Sequence, residues 1–186
     1  MESYRCMICG AEINEKNFGV NSVTFNEKNR SDYIINCPFC GVSQEFISKG
    51  KEKLSVEAKL LDENTIKILD HAVKLEIFNG DFYCKAAKKA ENKKTKELFT
   101  ALSKVEMMHA KIHFKIGGFK SMPILTDISY DKYKDDEALL DLANSKEKHA
   151  VRFYEKYKHE IKNEDIVRIF EALCNVERQH IILTII

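Results

Sequence analysis

Four stretches after residue 61 place apolar residues three or four positions apart, which is the spacing of one face of an α-helix. Helix-breaking residues are rare, since the whole chain contains two prolines and seven glycines. Gly117 and Gly118 follow the second stretch, and Asn163 is a typical N-cap for the fourth. We therefore predict helices at residues 62–91, 94–116, 135–161 and from Asn163 to the C-terminus.

The connection between the second and third predicted helices, residues 119–133, is long for neighbouring helices of a bundle. A connection of this length can run along the whole bundle, as in ferritin-like folds. The pattern predicts a mainly α protein built on a four-helix bundle.

Each predicted helix also carries a glutamate on its apolar face, and these acids belong to a pattern that occurs twice. A lone Glu is followed thirty residues later by Glu-x-x-His, and the whole set recurs further along the chain with the same internal spacing. A tyrosine seven residues after each lone Glu belongs to the repeat as well. The two sets are Glu76, Tyr83, Glu106 and His109, and Glu147, Tyr154, Glu177 and His180.

This pattern indicates a metal site. Residues i, i+3 and i+7 share a helix face, so the members of each set point the same way. A buried, unpaired carboxylate costs several kcal/mol, whereas four can be buried together if they share cations. Two lone Glu and two Glu-x-x-His pairs form the ligand set of di-iron and di-manganese bundles. One copy would equally fit surface charges on lysine-rich helices, but two copies in register favour the metal site. Mixed oxygen and nitrogen ligands suit iron or manganese better than zinc.

The N-terminal part of the chain, residues 1–48, contains two Cys-x-x-Cys-Gly segments at positions 6–10 and 37–41. They supply Cys6, Cys9, Cys37 and Cys40. This spacing predicts a tetrahedral site of four sulfurs, which accepts either iron or zinc. Short β-like pieces at residues 22–25 and 33–35 lie between the two segments. A module this small depends on its metal for folding.

Composition narrows the class of protein further. The 30 basic and 29 acidic residues give a formal charge of +1, which argues against a nucleic-acid partner. No apolar run approaches the ~20 residues that cross a membrane, and the N-terminus lacks the apolar region of a signal peptide. We expect a cytoplasmic protein whose cysteines are metal ligands, with Cys84 and Cys174 as core thiols.

A resemblance to known proteins adds to this interpretation. Residues 4–10 and 36–41 resemble the two iron loops of rubredoxin, and a rubredoxin-like module joined to such a bundle resembles the rubrerythrin family. The module comes first here, as in rubrerythrins with reversed domain order. The resemblance implies a rubredoxin-like four-cysteine metal domain at residues 1–48, a linker at 49–61 and a ferritin-like di-iron four-helix bundle at 62–186.

The resemblance, together with the internal symmetry, also implies roles for the repeated residues. Glu106 and Glu177 would bridge two metals, Glu76 and Glu147 would be terminal carboxylates, and His109 and His180 would each supply one nitrogen. Tyr83 and Tyr154 would donate hydrogen bonds to the terminal carboxylates, although both also fit as ordinary core tyrosines.

One position departs from the family, whose members usually carry a further carboxylate three residues after the third-helix Glu. Ala150 stands there, and the six remaining ligands are also similar to those of bacterioferritin. We expect Gly80 to leave room for a ligand beside the site. His113, four residues after His109, could support the ligand residues, but a polar residue near a helix end is the favoured interpretation.

The implied function is that of a non-haem di-iron peroxidase, which reduces hydrogen peroxide to water with electrons relayed through the four-cysteine iron. The cofactors would be one iron among the cysteines, with zinc possible there, and one di-iron centre; a rubredoxin reductase would be a suitable electron donor. Two alternatives are a ferritin-like ferroxidase and a zinc ribbon joined to a di-metal sensor. The first helix enters the bundle roughly 20 Å from Glu76. Unless the linker doubles back, we therefore expect the module beyond the bundle's end, and a homodimer in which it serves the partner's metals.

Overall fold

The computed structural model describes residues 3–50 and 56–185, in which four helices follow a small cysteine-rich module. The helices are α1 (Glu63–Lys89), α2 (Lys93–Ile116), α3 (Asp136–Tyr157) and α4 (Glu164–Leu183). The predicted mainly α class is confirmed, and the helix bounds agree closely except that α3 ends earlier than expected. Within the described residues, none of the helices combines the length and apolar character needed to cross a membrane.

Each long helix begins at a side chain that accepts a hydrogen bond from the helix's first turn. Asp62 accepts from Thr65 N at 3.0 Å and Asn163 from Ile166 N at 3.1 Å, while Asn92 and Asp135 cap α2 and α3. These bonds satisfy backbone N–H groups that have no partner within the helix. The predicted N-cap at Asn163 is thereby confirmed.

The helices form two antiparallel pairs, α1 with α2 and α3 with α4, and residues 117–135 connect the pairs. The Asp136 carboxylate accepts from the backbone N–H groups of Glu91 and Asn92, each at 2.9 Å. The start of α3 therefore lies beside the turn between α1 and α2. Since α2 ends a full helix length from that turn, about 36 Å, the connection runs along the bundle as expected.

A three-stranded antiparallel sheet organises the cysteine-rich module. Its strands are β1 (Tyr4–Cys6), β2 (Glu12–Ile13) and β3 (Ile47–Ser48), in the order β2-β1-β3. Cys6 pairs with Ile47, and Tyr4 with Ile13. The sheet thus joins the beginning and the end of the module.

The strands predicted at residues 22–25 and 33–35 are wrong. Ser22–Thr24 forms a short 3₁₀ helix, and residues 33–35 make one isolated bridge outside the sheet. At residues 33–35 the reason is Asn29, whose side chain donates to the carbonyls of Phe18 and Asn36 at 2.9 and 2.8 Å. Its Oδ1 accepts from the backbone N–H groups of Ile35 and Asn36 at 2.9 and 3.0 Å. One side chain thus replaces the ladder that a strand would supply.

The module packs against the flank of the bundle, so its expected position beyond the bundle's end is wrong. Gly41 adopts φ +78°, and a Cβ at this position would lie 2.7 Å from the side chain of Val176 on α4. Buried residues of the module and of the bundle, such as Val42 and Val176, belong to one continuous core. Burial of shared apolar surface therefore sets the position of the module. Residues 51–55 of the predicted linker lie outside the described residues.

The Asn29 network predicts how the module responds to a single substitution. Asn29→Ala removes four hydrogen bonds and should destabilise the module by about 2 kcal/mol. Amides of Ile35 and Asn36 should then exchange roughly 30-fold faster, while amides of α1 to α4 keep their rates. The matched control is Asn26→Ala, because Asn26 is an exposed asparagine of the same loop. Equal exchange in the two variants would contradict this account of the loop.

Candidate metal centres

The two Cys-x-x-Cys segments fold into matching loops. In each loop the glycine after the second cysteine has φ 78° and donates its N–H to the carbonyl of the first cysteine. The bonds Gly10 N to Cys6 O and Gly41 N to Cys37 O are both 2.9 Å. Glycine is required at a positive φ of this size because a Cβ would be strained there. The loops bring four sulfurs to one point.

The spacing of these sulfurs fits a metal. Cys6 Sγ lies 3.7 Å from Cys40 Sγ, and Cys9 Sγ lies 3.7 Å from Cys37 Sγ. A disulfide would require about 2.05 Å. Four sulfurs held tetrahedrally at about 2.3 Å from a metal are separated by about 3.8 Å. Burial raises the pKa of Cys37 and Cys40, so a cation is what would hold them as thiolates.

The bundle brings together the six repeated residues that are predicted to be metal ligands, and each of them is fully buried. They form two overlapping groups whose ligand atoms lie within 4.8 Å of one another. One group contains Glu76 and His109, the other contains Glu147 and His180, and Glu106 and Glu177 belong to both. A carboxylate that belongs to both groups could bind two metals at once, as a bridging ligand does.

The two imidazoles are related by an approximate twofold symmetry that follows the sequence repeat. Their rings are nearly parallel, at 11°, with centroids 6.4 Å apart. His109 Nδ1 lies 2.9 Å from Glu177 Oε1 and 3.4 Å from Glu106 Oε2. His180 Nδ1 lies 3.1 Å from Glu106 Oε1 and 3.2 Å from Glu177 Oε2. Both Nδ1 atoms therefore face the two shared carboxylates.

Unpartnered buried atoms show that this cluster is suited to cations. Within the described chain no hydrogen bond reaches Glu76 Oε2, Glu147 Oε2, Glu177 Oε1, His109 Nδ1 or either Glu106 oxygen. Buried polar atoms are rarely left in this condition, because each costs free energy. Two divalent cations would neutralise four carboxylates and occupy these atoms. The residues present fit a pair of metal ions.

The pKa values of the cluster also show that its buried negative charge requires compensation by positive charge. Burial and the neighbouring carboxylates raise the pKa of Glu76 and Glu147. Burial opposes charge on the imidazoles, but Glu106 and Glu177 outweigh it and raise the pKa of His109 and that of His180, the latter to about 9. Protons thus supply the compensation that cations would otherwise supply.

The two tyrosines each bind the lone glutamate of the opposite half of the repeat. The Tyr83 hydroxyl donates to Glu147 Oε1, and the Tyr154 hydroxyl donates to Glu76 Oε1. In both glutamates the second oxygen is the unpartnered one. The tyrosines therefore orient each lone carboxylate and leave one oxygen directed into the cluster.

For His113 the sequence favoured a polar residue near a helix end over a group that supports the ligand residues, and the structure shows a supporting position. His113 is fully buried, and its Nε2 lies 2.7 Å from the Tyr154 hydroxyl. Because that hydroxyl donates to Glu76, it accepts from His113. Burial lowers the pKa of His113 to about 3, so the ring stays neutral. Its position four residues after His109, on the same helix face, was the available signal.

A hydrogen bond joins the two clusters within one chain. His109 Nε2 lies 2.9 Å from the backbone carbonyl oxygen of Cys40. A carbonyl can only accept, so Nε2 carries a proton in either charge state of the ring, and loss of the second proton would leave the lone pair on Nδ1, where a metal could bind it. Metal-binding histidines are usually held in this way.

The structure also gives the surroundings of four further residues. Gly80 does not leave open space, because a Cβ there would lie 3.0 Å from Met107 Sδ; it allows α1 and α2 to approach closely. Cys84 is exposed, so its expected place in the core is wrong, whereas Cys174 is buried. Ala150 is fully buried among apolar residues.

The raised imidazole pKa predicts a pH dependence for metal-free protein. Stability from protonated His180 is fully present below pH 6.5, the ordinary value, and is lost as pH rises through about 9. Raised pKa values of Glu76 and Glu147 act in the same direction. Urea unfolding should therefore show a loss of about 3 kcal/mol from this ring between pH 6.5 and 9.

Metal-loaded protein is the control for this experiment. Bound metal displaces the protons, so the stabilisation that metal provides should grow over the same pH range. Metal-free stability that stays constant or rises from pH 6.5 to 9 would contradict the assigned charges.

A match to a protein-family model agrees with this geometry. Residues 67–183, well over half of the chain, match the family model described as Rubrerythrin. A search of curated proteins found no match. A solved structure of a hypothetical protein from Pyrococcus furiosus is similar at 22% sequence identity and a TM-score of 0.49, over 70% of this chain and 92% of that one. The family match covers the helices that carry all six buried ligand residues, and the four cysteines fit a rubredoxin-like site ahead of them. The chain belongs to the rubrerythrin family, with a rubredoxin-like module preceding a ferritin-like four-helix bundle.

Proposed function

We propose that the protein is a di-iron peroxidase that reduces hydrogen peroxide to water with electrons received through its four-cysteine centre. The observation that supports this most strongly is the hydrogen bond between His109 and Cys40. It connects a ligand residue of the bundle to a ligand residue of the module. A centre that stores or oxidises iron has no need of such a connection.

The residues that would hold the metals follow from the geometry. The four cysteines would hold one iron, and the six buried residues of the bundle would hold two, with Glu106 and Glu177 shared between them. When bound, the di-iron pair would supply two electrons for cleavage of the O–O bond, and the iron among the cysteines would replace them one at a time. Mixed carboxylate and imidazole ligands suit iron better than zinc.

Protons are the second requirement, because reduction of one peroxide to two waters consumes two protons with two electrons. The Tyr83 and Tyr154 hydroxyls hold protons at Glu147 and Glu76, inside a cluster fully shielded from solvent. Neutral His113 holds a further proton at Nε2, directed at the Tyr154 hydroxyl. We infer that protons reach the site from the Tyr154 side.

The Tyr83 side of the site has a threonine at the position where the Tyr154 side has His113. Thr184 follows His180 by four residues, as His113 follows His109, and so occupies the equivalent position of the repeat. Its hydroxyl donates to the His180 carbonyl at 3.0 Å. It therefore gives Tyr83 no such support. The twofold symmetry of the ligands does not extend to the groups behind the tyrosines.

Electrons follow the contact between the module and the bundle. Electron transfer weakens steeply with distance, and the His109–Cys40 bond makes the separation of the two centres short within one chain. The proposed homodimer is therefore not required for the relay. The proposed external partners are hydrogen peroxide and a donor such as a rubredoxin reductase.

A ferroxidase is the second candidate, and Ala150 is the observation that favours it. The usual further carboxylate of rubrerythrins is absent from this position, which leaves a six-residue set like that of bacterioferritin. A ferroxidase consumes ferrous iron and oxygen and does not draw electrons through the module.

Removal of a shared carboxylate tests the proposal. Glu106→Ala should lower peroxide turnover by at least about 100-fold, because both metals lose a ligand. The visible spectrum of the four-cysteine iron should remain, since the cysteine loops are untouched. Steady-state peroxide consumption with an external reductant is the measurement.

The matched control is Glu97→Ala, because Glu97 is an exposed carboxylate on the same helix. It should keep full turnover. Cys37→Ser should keep the bundle metals yet lose turnover with reductants that act through the four-cysteine iron. Full peroxide turnover in Glu106→Ala would contradict the assignment, and wild-type turnover of ferrous iron and oxygen alone would favour the ferroxidase.

A further inference from the structure

The ligand residues of the bundle follow the twofold symmetry of the repeat, but the groups that hold them from behind do not. The two candidate metal positions differ in their unshared residues. The first position contains Glu76 and His109, and the second position contains Glu147 and His180. The supporting hydrogen bonds are concentrated at the first position, so its ligand residues are the more firmly oriented.

The two imidazoles differ at Nε2, the ring nitrogen that faces away from the shared carboxylates. His109 Nε2 lies 2.9 Å from the carbonyl oxygen of Cys40. His180 Nε2 is buried, and no described residue forms a hydrogen bond with it. A metal bound at Nδ1 draws electron density from the ring, and an acceptor at the N–H of Nε2 stabilises the charge that results. Of the two rings, His109 alone has such an acceptor among the described residues.

The two lone glutamates differ in the same direction. The Tyr154 hydroxyl donates to Glu76 and accepts from His113 Nε2, which lies 2.7 Å away. The Tyr83 hydroxyl donates to Glu147, but nothing in the described part of the chain donates to it. A hydroxyl that both donates and accepts is fixed in direction, and each bond of such a chain strengthens the next. Glu76 is therefore held by two successive bonds, and Glu147 by one.

The residue that would restore the symmetry is committed elsewhere. Thr184 occupies the position of the repeat that corresponds to His113. Its hydroxyl donates to the carbonyls of His180 and Ile181, each at 3.0 Å, and accepts from Asn144 Nδ2 at 3.1 Å. These bonds hold Thr184 at the end of α4, and none of them involves a tyrosine. The difference between the positions is thus built into the sequence.

Oriented ligand residues bind a metal more tightly for two reasons. They lose less rotamer freedom when the metal binds, and they already present the correct atom. Removal of one such outer hydrogen-bond partner typically costs 10- to 100-fold in metal affinity. The first position has two outer partners that the second lacks, the Cys40 carbonyl and His113. A difference of at least about tenfold between the positions is therefore expected.

We propose that the two metal positions are inequivalent, and that the position of Glu76 and His109 fills first and binds at least about tenfold more tightly. His113 and the Cys40 carbonyl are the positioning groups that cause the difference. The proposal rests on the metal pair that the proposed function requires, and not on the peroxide reaction. When metal is scarce, the chain then holds one bundle ion at the position joined to the module.

Titration with Mn²⁺ tests the proposal without measuring turnover. Full-length protein with its four-cysteine site filled and its bundle free of metal is titrated, and electron paramagnetic resonance counts the free and bound ions. Mn²⁺ suits carboxylate and imidazole ligands and competes poorly for thiolates. The repeat supplies a matched pair of variants, Glu76→Gln and Glu147→Gln, each of which removes one negative charge from the cluster.

The proposal predicts opposite results for this pair. Glu76→Gln should weaken binding of the first Mn²⁺ by at least about tenfold, because that ion must then use the second position. Glu147→Gln should keep the affinity for the first Mn²⁺ and weaken binding of the second. Equal losses of first-ion affinity in the two variants, while the parent binds two ions, would overturn the inequivalence and leave the metal pair intact. A parent protein that binds no Mn²⁺ in the bundle would contradict the metal pair itself.

A second matched pair tests the positioning role of His113. His113→Leu should weaken binding of the first Mn²⁺ by about tenfold. Thr184→Val changes the corresponding position of the repeat and should leave that affinity unchanged. Tyr154→Phe keeps the packing of the ring and removes only the hydroxyl, so it repeats the test if His113→Leu folds poorly. Tyr83→Phe is its counterpart and should weaken the second ion alone. Parent-like affinity for the first ion in both His113→Leu and Tyr154→Phe would overturn this role.

Discussion

Four carboxylates buried at the centre of the bundle impose the constraint on which the rest of this structure depends. Burying one unpaired carboxylate costs several kcal/mol, and four within a few ångströms also repel one another. The charge must be compensated inside the protein, either by protons on His109, His180 and the lone glutamates or by cations. The unpartnered oxygens of Glu106, together with the separations between ligand atoms, fit two cations. Every helix contributes one acid, so the metal pair would hold all four helices together.

Several contacts with the surrounding protein orient the side chains of this cluster. Tyr83 and Tyr154 cross between the halves of the repeat and each bind one oxygen of a lone glutamate. His109 is oriented by a carbonyl that belongs to Cys40, a residue of the other cluster. The module can reach that point only because Gly41 has no side chain to meet Val176. The contact between His109 and the Cys40 carbonyl therefore both docks the module and orients a ligand residue of the bundle. In the proposed function, electrons pass through the same contact.

The sequence predicted those features that depend on periodicity within one helix. Glu-x-x-His pairs, the lone glutamates and their apolar neighbours share a face in any helix, so their convergence could be foreseen from spacing alone. Features that depend on contacts between distant segments could not. His113 follows His109 by one turn, but its burial depends on Tyr154 from α3. Gly80 is explained by Met107 of α2, and the loop around residue 34 by the four hydrogen bonds of Asn29. The position of the module on the flank of the bundle depends on apolar surface that it shares with α4. This contact joins distant segments, so no pattern within a single segment predicts it.

Metal content decides whether this chain holds two metal ions in the bundle and one among its cysteines. Anaerobic loading with ferrous iron, removal of unbound metal and elemental analysis measure it. We predict about three irons per chain, falling to about one in Glu106→Ala, where the cysteine site alone is intact. One iron or fewer in the unsubstituted protein, with no spectroscopic signal from a metal pair, would contradict it.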